Sequence, residues 1–588
     1  MLDVLSFLFY NITMSLQEKK LIRPLPIGIS EFKKVIDNNC YYSDKTLLIK
    51  KLLDTKAEAI LFARPRRFGK TLNMTMLRTF FEKPLDGEDT SHYFKNLAIW
   101  KAGEKYTKEQ GKRPVIYITF KDFSAGNFSE AIEFIAYEVQ RECLRHTYLQ
   151  KSHNLDGDEI NLFCEYKALK LSNAALAKSL SFLTEVLSRH YGTQAVVLLD
   201  EYDKPIQDGF AYGYYEEIIR FMKAFLSGVF KDNPNLYRGV LTGITRVSKE
   251  SIFSGLNNLK VNTIFDEEFS DCFGMTKKEV SDMLDFYDVS DKKEEAADWY
   301  DGYTFGKTGI YNPWSMIEYL DNNCLAQPYW VNTSANALVG QALEIADHYD
   351  STVLESLVNG GEVETEINAN VIYPEIGSDV NVAYSLLAQT GYLKSVDTDW
   401  DEGAMICTLK IPNRELRRIY FDEIIKRFVK DNTSGRKAGE LRRAISKGNA
   451  EKIEQLIQDY LMSSLSFHDL TEEKDYHNVF LGLVYIATDN YTIKSNRESG
   501  EGRYDIAMFP KRKNIPGIIF ELKYCKEGEA AKSDRAKLEQ LLTKTAEEAL
   551  KQIEDNEYLA ELKEAGASPI FRYGAAFCGK KAHVEKGN

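Results

Sequence analysis

Hydrophobic residues follow two different periods along this chain. Ala59-Ile60-Leu61-Phe62-Ala63 and Ala195-Val196-Val197-Leu198-Leu199 are continuous apolar runs of strand length, the pattern of strands buried on both faces of a parallel sheet. Pro114 to Phe120 and Gly239 to Gly243 read as two further strands, and the helical spacing of 130–145 and 174–190 supplies crossover cover. Towards the other end the period shortens to two. Ile518, Phe520 and Leu522 alternate with Glu521 and Lys523, so one strand face is apolar while acid and amine project together from the other, sorted away from the core. Tyr504 to Phe509 reads as the partner strand and Pro510 to Pro516 as the turn between them. Helical spacing returns in Tyr476, Phe480, Leu483, Val484 and Ala487 behind a capping Thr471, and again in Leu541 to Ile553. The charged stretch Arg436 to Leu465 carries a stripe of Leu441, Ile445, Ile453, Leu456, Ile457 and Leu461 suited to packing between domains.

The first apolar run ends in Arg64-Pro65-Arg66-Arg67-Phe68-Gly69-Lys70-Thr71 and a helical pattern. A loop entering a helix N-terminus presents free N–H groups and the positive end of the helix dipole to phosphates. Lys70 can reach β/γ-phosphates, and the Thr71 hydroxyl can ligate Mg²⁺. The usual first glycine is absent: Arg64 holds that position and Pro65 removes one N–H donor, so the cradle differs in detail. The second run ends in Asp200-Glu201-Tyr202-Asp203, where Asp200 suits the metal and Glu201 suits the base that polarises an attacking water. After the strand Gly239 to Gly243, Thr245 and Arg246 stand where a γ-phosphate could be sensed. An acidic end on a buried strand is also a common structural feature; its pairing with Gly-Lys-Thr points to ATP.

Asp505, Glu521 and Lys523 meet at one edge of the hairpin. Two carboxylates suit Mg²⁺, with Mn²⁺ as the alternative, and a lysine beside them suits an attacked phosphate. The same residues also fit a surface hairpin whose strand ends carry solvated charges.

The pattern resembles the PD-(D/E)xK nuclease superfamily, an Asp followed by Glu-x-Lys on the next strand. That resemblance implies a metal-associated role for Glu473 on the preceding helix and a Gln-and-Tyr element at Gln552 and Tyr558; Tyr504 stands where the superfamily usually has Pro. Pro26-Ile27-Gly28, Tyr42-Ser43-Asp44-Lys45-Thr46, the Arg64 to Thr71 loop and Asp200-Glu201-Tyr202-Asp203-Lys204-Pro205 resemble an AAA-ATPase-like family of bacteria and archaea that carries such a nuclease domain at its C-terminus. The likeness continues through Ser254 to Asn258, Trp299 to Tyr303, Tyr311 to Trp314 and Thr390 to Leu393. In that family Arg64 is the expected residue. The resemblance implies Arg64, Arg67, Gly69, Lys70, Thr71, Asp200 and Arg246 around the nucleotide, and Asp505, Glu521, Lys523, Glu473 and Gln552 in the nuclease site.

Composition narrows the function further. The 588 residues and 44% hydrophobic content suit three or four domains. The expected organisation is an N-terminal tail (1–21), a parallel-sheet ATPase domain (22–285), a mainly helical lid and linker (286–468) and an α/β nuclease-like domain (469–588). A net charge of −13 disfavours general coating of nucleic acid, leaving a local groove with Lys511-Arg512-Lys513 on the hairpin turn. The eight cysteines show neither a C-x-x-C pair nor a His-Cys cluster, so zinc and a disulfide frame are not indicated. Residues 1–10 are apolar but lack a basic flank and a cleavage site and are too short to span a bilayer, which suggests a cytoplasmic protein starting at Met1 or Met14. Two functions remain open. One is a nuclease acting on DNA or RNA under ATP control, suited to defence against foreign nucleic acid; the other is a nucleotide-switched binding or assembly protein with an inactive nuclease fold. A homo-oligomer is compatible with either.

Overall fold

Five strands pair in parallel in the order β2-β3-β4-β1-β5: β1 (Ala59–Ala63), β2 (Val115–Thr119), β3 (Ala195–Asp200), β4 (Leu236–Gly243) and β5 (Leu259–Asn262). Every residue of β1 and β3 is buried, as expected for strands covered by helices on both faces. Helix α1 (Lys70–Phe81) follows β1 directly, while α2 (Phe128–Arg145) and α3 (Ser179–Tyr191) form crossovers beside β2 and β3. Because β4 lies between β1 and β3, the loop after β1 and the acidic end of β3 flank the exit of β4. A polar residue there can reach both.

This computed structural model describes residues 23–587 except 86, 246–257, 331–339, 341, 343–344, 346–352, 354–355, 358–359, 369–372, 376–378, 418, 421–433, 465–479, 481–483, 485–490, 500–501, 513–514, 526–534 and 556–558. It divides into two compact units, one ending at Leu416 and one beginning at Arg417.

After the parallel sheet, the first unit contains more strand than the sequence suggested. β6 (Met275–Thr276), β7 (Tyr303–Phe305) and β8 (Thr308–Tyr311) form one small sheet, followed by helix α4 (Pro313–Asp321). A second sheet joins β9 (Val363–Ile367), β10 (Lys394–Asp401) and β11 (Ala404–Lys410) in the order β10-β11-β9. The cause is visible in β11, where Met405, Cys407 and Leu409 alternate inward. The intervening Glu402 and Gly403 both have positive φ (47° and 92°), the conformation that closes tight hairpins.

The charged stretch expected to lie between domains forms two helices of the second unit, α5 (Ser434–Lys447) and α6 (Ala450–Ser464), separated at Gly448. The sheet of this unit runs β12-β13-β14-β15-β16, with β12 (Tyr491–Ser499), β13 (Gly502–Pro510), β14 (Gly517–Tyr524), β15 (Ile570–Cys578) and β16 (Lys581–Lys586). Only the β14–β15 pair is parallel. Helix α6 covers the β16 edge, where Gln458 donates to Lys580 O at 2.5 Å and accepts from Ala582 N at 3.1 Å, and Glu454 accepts from Val584 N at 3.0 Å. Helix α7 (Arg535–Asp555) lies across β14, β15 and β16. Its approach is close: a Cβ at Gly574 would stand 2.1 Å from the carbonyl oxygen of Ala546, so only glycine fits. On the opposite face Phe480 packs edge-on against Phe520, which stacks on Tyr573.

Candidate functional site

In the first unit β1 runs into Arg64 to Gly69 and α1 begins at Lys70. Gly69, at φ 80°, turns the chain into the helix in a conformation open to glycine. Lys70 is 4% exposed and its Nζ donates to the carbonyl oxygens of Arg64 (3.0 Å) and Pro65 (2.9 Å). Burial lowers its pKa, against the opposing pull of Glu201, Asp203 and Asp200. Thr71 Oγ1 donates to Asp200 Oδ2 at 2.8 Å, bringing the two residues suited to Mg²⁺ together. Asp200 also accepts from Thr242 Oγ1 (2.6 Å) and Thr119 Oγ1 (3.3 Å). Glu201 follows at φ 54°, rare for a residue with a side chain, and its amide donates to Thr242 Oγ1 at 3.2 Å. Its carboxyl is raised by burial, while the Lys70 charge draws it down. Asp203 accepts the amides of Ile244 (2.9 Å) and Thr245 (3.1 Å) and so shapes the exit of β4.

The arginines of the loop do different things. Arg64 turns beneath it, donating to Ala63 O and Asn262, so its side chain does not face a ligand from the loop's open side. Arg66 reaches Gln207 at 3.4 Å. Arg67 lies 4.3 Å over the Trp314 ring and donates to Tyr329 O at 3.1 Å. The strap carrying Tyr329 is held by Glu415, whose Oε1 accepts the amides of Tyr329 (2.8 Å) and Trp330 (2.9 Å) while Ser315 Oγ donates to both carboxyl oxygens. Burial pushes Glu415 up to about 7. An apolar slot of about 80 Å³ opens beside Gly69 and Leu72, walled by Tyr41, Tyr42, Phe68 and Met275. A polar cavity of about 630 Å³ lies along α1 on the side of Thr71 and Thr119.

In the second unit the paired residues of β13 and β14 run only from Ile506↔Phe520 to Met508↔Ile518. Beyond that point the Asp505 carboxylate replaces a backbone acceptor, taking the amide of Leu522 at 2.7 Å. Glu521 and Lys523 share one strand face, as the alternation requires, but that face is covered by α7. The expectation that these charges point away from the core is therefore corrected: Glu521 is 3% exposed. Gln552 of α7 joins the two, its amide nitrogen donating to Glu521 Oε1 and its oxygen accepting from Lys523 Nζ at 2.7 Å. Glu521 Oε2 is buried and has no hydrogen-bond partner among the described residues. Tyr504, where the superfamily usually has Pro, is fully buried and donates to Glu561 Oε2 at 3.0 Å.

Comparison with known proteins matches these two places separately. Residues 26–253 match the model of a predicted AAA-ATPase family, and residues 471–587 match that of the PD-(D/E)XK nuclease superfamily. The chain carries both domains. It is also 26% identical over 422 residues to an uncharacterized protein in the vnfD 5′ region of Azotobacter chroococcum mcd 1, an alignment spanning 70% of this chain and 72% of that protein.

Within the nuclease-superfamily domain, burial pushes Glu521 up to about 8, with the neighbouring Asp505 charge adding to the effect. A buried acid with one oxygen unpaired among the described residues and a second carboxylate beside it offer oxygen ligands suited to a hard divalent cation, and the ammonium on the same face suits a phosphate beside it. In the AAA-ATPase-like domain, Lys70, Thr71, Asp200 and Glu201 converge around the start of α1. Thr119, Thr242 and Asn262 are parts of that site missed by sequence reasoning; for Thr119 the signal available was a polar residue closing an otherwise apolar strand. Arg246, Glu473 and Tyr558 lie outside the described residues, as does Lys513 of the basic turn. Among the described residues no helix is long and apolar enough to cross a membrane.

Proposed function

We propose that this chain is a metal-dependent nuclease, cleaving DNA or RNA phosphodiesters, with activity governed by ATP bound in the first unit. The observation that carries the reading is the Oε2 of buried Glu521, unpaired among the described residues, beside Asp505 and Lys523. A buried carboxylate oxygen without a donor is costly unless something fills its lone pairs, and Mg²⁺ or Mn²⁺ held by Asp505 and Glu521 would do so. Such a cation supplies charge stabilisation at phosphoryl oxygens and a more acidic water. Lys523 contributes a cation towards the scissile phosphate or orients the attacking water. Gln552 fixes the Lys523 ammonium through its oxygen and leaves Glu521 one oxygen for the metal.

In the first unit, Lys70 would exchange the carbonyls of Arg64 and Pro65 for nucleotide phosphates, Thr71 and Asp200 would hold Mg²⁺, and Glu201 would accept a proton from the attacking water. The apolar slot beside Gly69 suits the base. A cytoplasmic setting and a role in defence against foreign nucleic acid rest on the pairing of the two domains. The test is incubation of purified protein with single- and double-stranded DNA and RNA, with Mg²⁺ or Mn²⁺, with and without ATP. Metal-dependent cutting that changes severalfold with ATP is expected. Absence of cutting on every substrate in both nucleotide states would leave a nucleotide-switched binding protein, and equal cutting in both would leave an unregulated nuclease.

A further inference from the structure

Arg64 stands where the usual phosphate loop begins with glycine, and its side chain is wholly buried. Nη1 donates to Ala63 O (2.9 Å) and Asn262 O (3.0 Å), Nη2 donates to Asn262 Oδ1 (2.5 Å), and Nε is buried without an acceptor among the described residues. Among the described residues all of its hydrogen-bond acceptors are neutral. The rings of Phe273 and Phe305 stand 5.3 and 5.1 Å away, and more distant Cys272 and Asp266 offset little of the cost of burial. Burial draws the guanidinium down to about 10, so it keeps its charge at neutral pH.

A buried cation with neutral partners is expensive. Aromatic faces return a part of that cost. A second buried cation, Lys70, rests on the carbonyl oxygens of Arg64 and Pro65, so the loop holds two positive charges whose hydrogen-bond acceptors among the described residues are neutral, with Glu201, Asp203 and Asp200 acting on Lys70 only through their field. If Arg64 served merely to pin β1 to β5, a neutral side chain of similar length would avoid that cost. We infer that Arg64 is a fixed counter-charge for a bound polyphosphate, acting through its field from beneath the loop without touching the ligand. The empty site is thereby destabilised, and nucleotide binding is tied to the stability of the first unit. This rests on the nucleotide reading given above.

The test is thermal unfolding of the full chain, together with calorimetric affinity, using ATP and adenosine as probes on the unaltered protein, Arg64→Met, Arg64→Lys and Asn262→Asp. Arg64→Met is expected to unfold no lower than the unaltered protein without ligand, to lose most of the ATP-induced rise, and to bind ATP about tenfold more weakly with adenosine unchanged. Arg64→Lys should recover at least half of the ATP-induced rise. Asn262→Asp places a carboxylate beside the guanidinium at the cost of the Asn262 Nδ2 donation to Glu268 O (2.8 Å), and should weaken ATP binding by a similar factor with adenosine unchanged; it keeps the inference testable should Arg64→Met not fold. Equal loss of stability with and without ATP, equal weakening of ATP and adenosine, or unchanged ATP affinity in Asn262→Asp would each overturn the inference. An unaltered protein that ATP neither binds nor stabilises would instead remove the nucleotide reading itself.

Discussion

Glu415 in the first unit and Glu521 in the second are both carboxyls pushed far up by burial, to about 7 and about 8. Their surroundings differ in one respect. Glu415 has both oxygens engaged by donors on two segments, Ser315 and the Tyr329–Trp330 strap, whereas Glu521 has one oxygen bonded to Gln552 and one with no donor among the described residues. Burial and a raised pKa alone therefore do not separate a structural acid from a reactive one. What sets Glu521 apart, and what the proposed metal site rests on, is the unfilled lone pair beside a second carboxylate and a lysine.

The most direct way to break this comparison is substitution of the two acids. Glu521→Gln or Asp505→Ala should lower single-turnover cleavage of labelled nucleic acid by at least about a hundredfold, as should EDTA, because charge stabilisation at the phosphoryl group is lost. Glu415→Gln should leave cleavage within about twofold, an amide being able to keep the strap's hydrogen bonds. Cleavage unchanged by Asp505→Ala would end the assignment.

Lys70→Ala asks whether the first unit has a reactive centre. Removing the ammonium should weaken ATP binding by roughly 2–3 kcal/mol, the scale of a charged hydrogen bond, in a calorimetric titration. Glu201→Gln should keep binding and lose phosphate release. Equal loss of binding in both variants would make Glu201 structural.

Glu415 sharpens the comparison through pH. Its folded pKa lies above that of an unfolded glutamate, so its contribution to stability is full below about pH 4.5 and is lost as pH rises through about 7. The first unit should lose on the order of 2 kcal/mol between those limits, read from denaturant unfolding. Glu415→Gln should flatten that slope; an equal slope in the variant would place the titration elsewhere. The smallest effect is expected at Gln552, where Gln552→Ala should cost about tenfold in cleavage with metal saturating, since it orients Lys523 without touching substrate. A loss as large as that of Lys523→Ala would mean that Gln552 itself contacts the reacting groups.

Much of the fold was legible because its signals are local. The apolar runs of β1 and β3 give the parallel sheet, and the alternation of Ile518 to Lys523 gives β14 with both functional groups on one face. Alternation could not say what covers that face. Glu521 is buried because Gly574 admits α7, and Gly574 lies fifty-three residues away in sequence. Thr242 and Asn262 were equally hidden, since each reaches the loop or the acidic strand end only through the sheet order. The β10–β11 hairpin, by contrast, was readable from Glu402-Gly403 and the alternation of Met405, Cys407 and Leu409, and so was the break at Gly448 that turns one charged stretch into two helices.

The contacts of α6 with β16 bear on where this protein can be cut. Gln458 and Glu454 occupy main-chain groups at Lys580, Ala582 and Val584 that would otherwise form a bare sheet margin. A fragment starting at 471, where the nuclease-superfamily match begins, lacks both helices and presents that margin as a template for strand addition by its neighbours. A fragment starting at Ser434 keeps it sealed. For recombinant work the autonomous piece is therefore longer than the recognisable one, and the difference should appear as soluble monomer against aggregate on a sizing column.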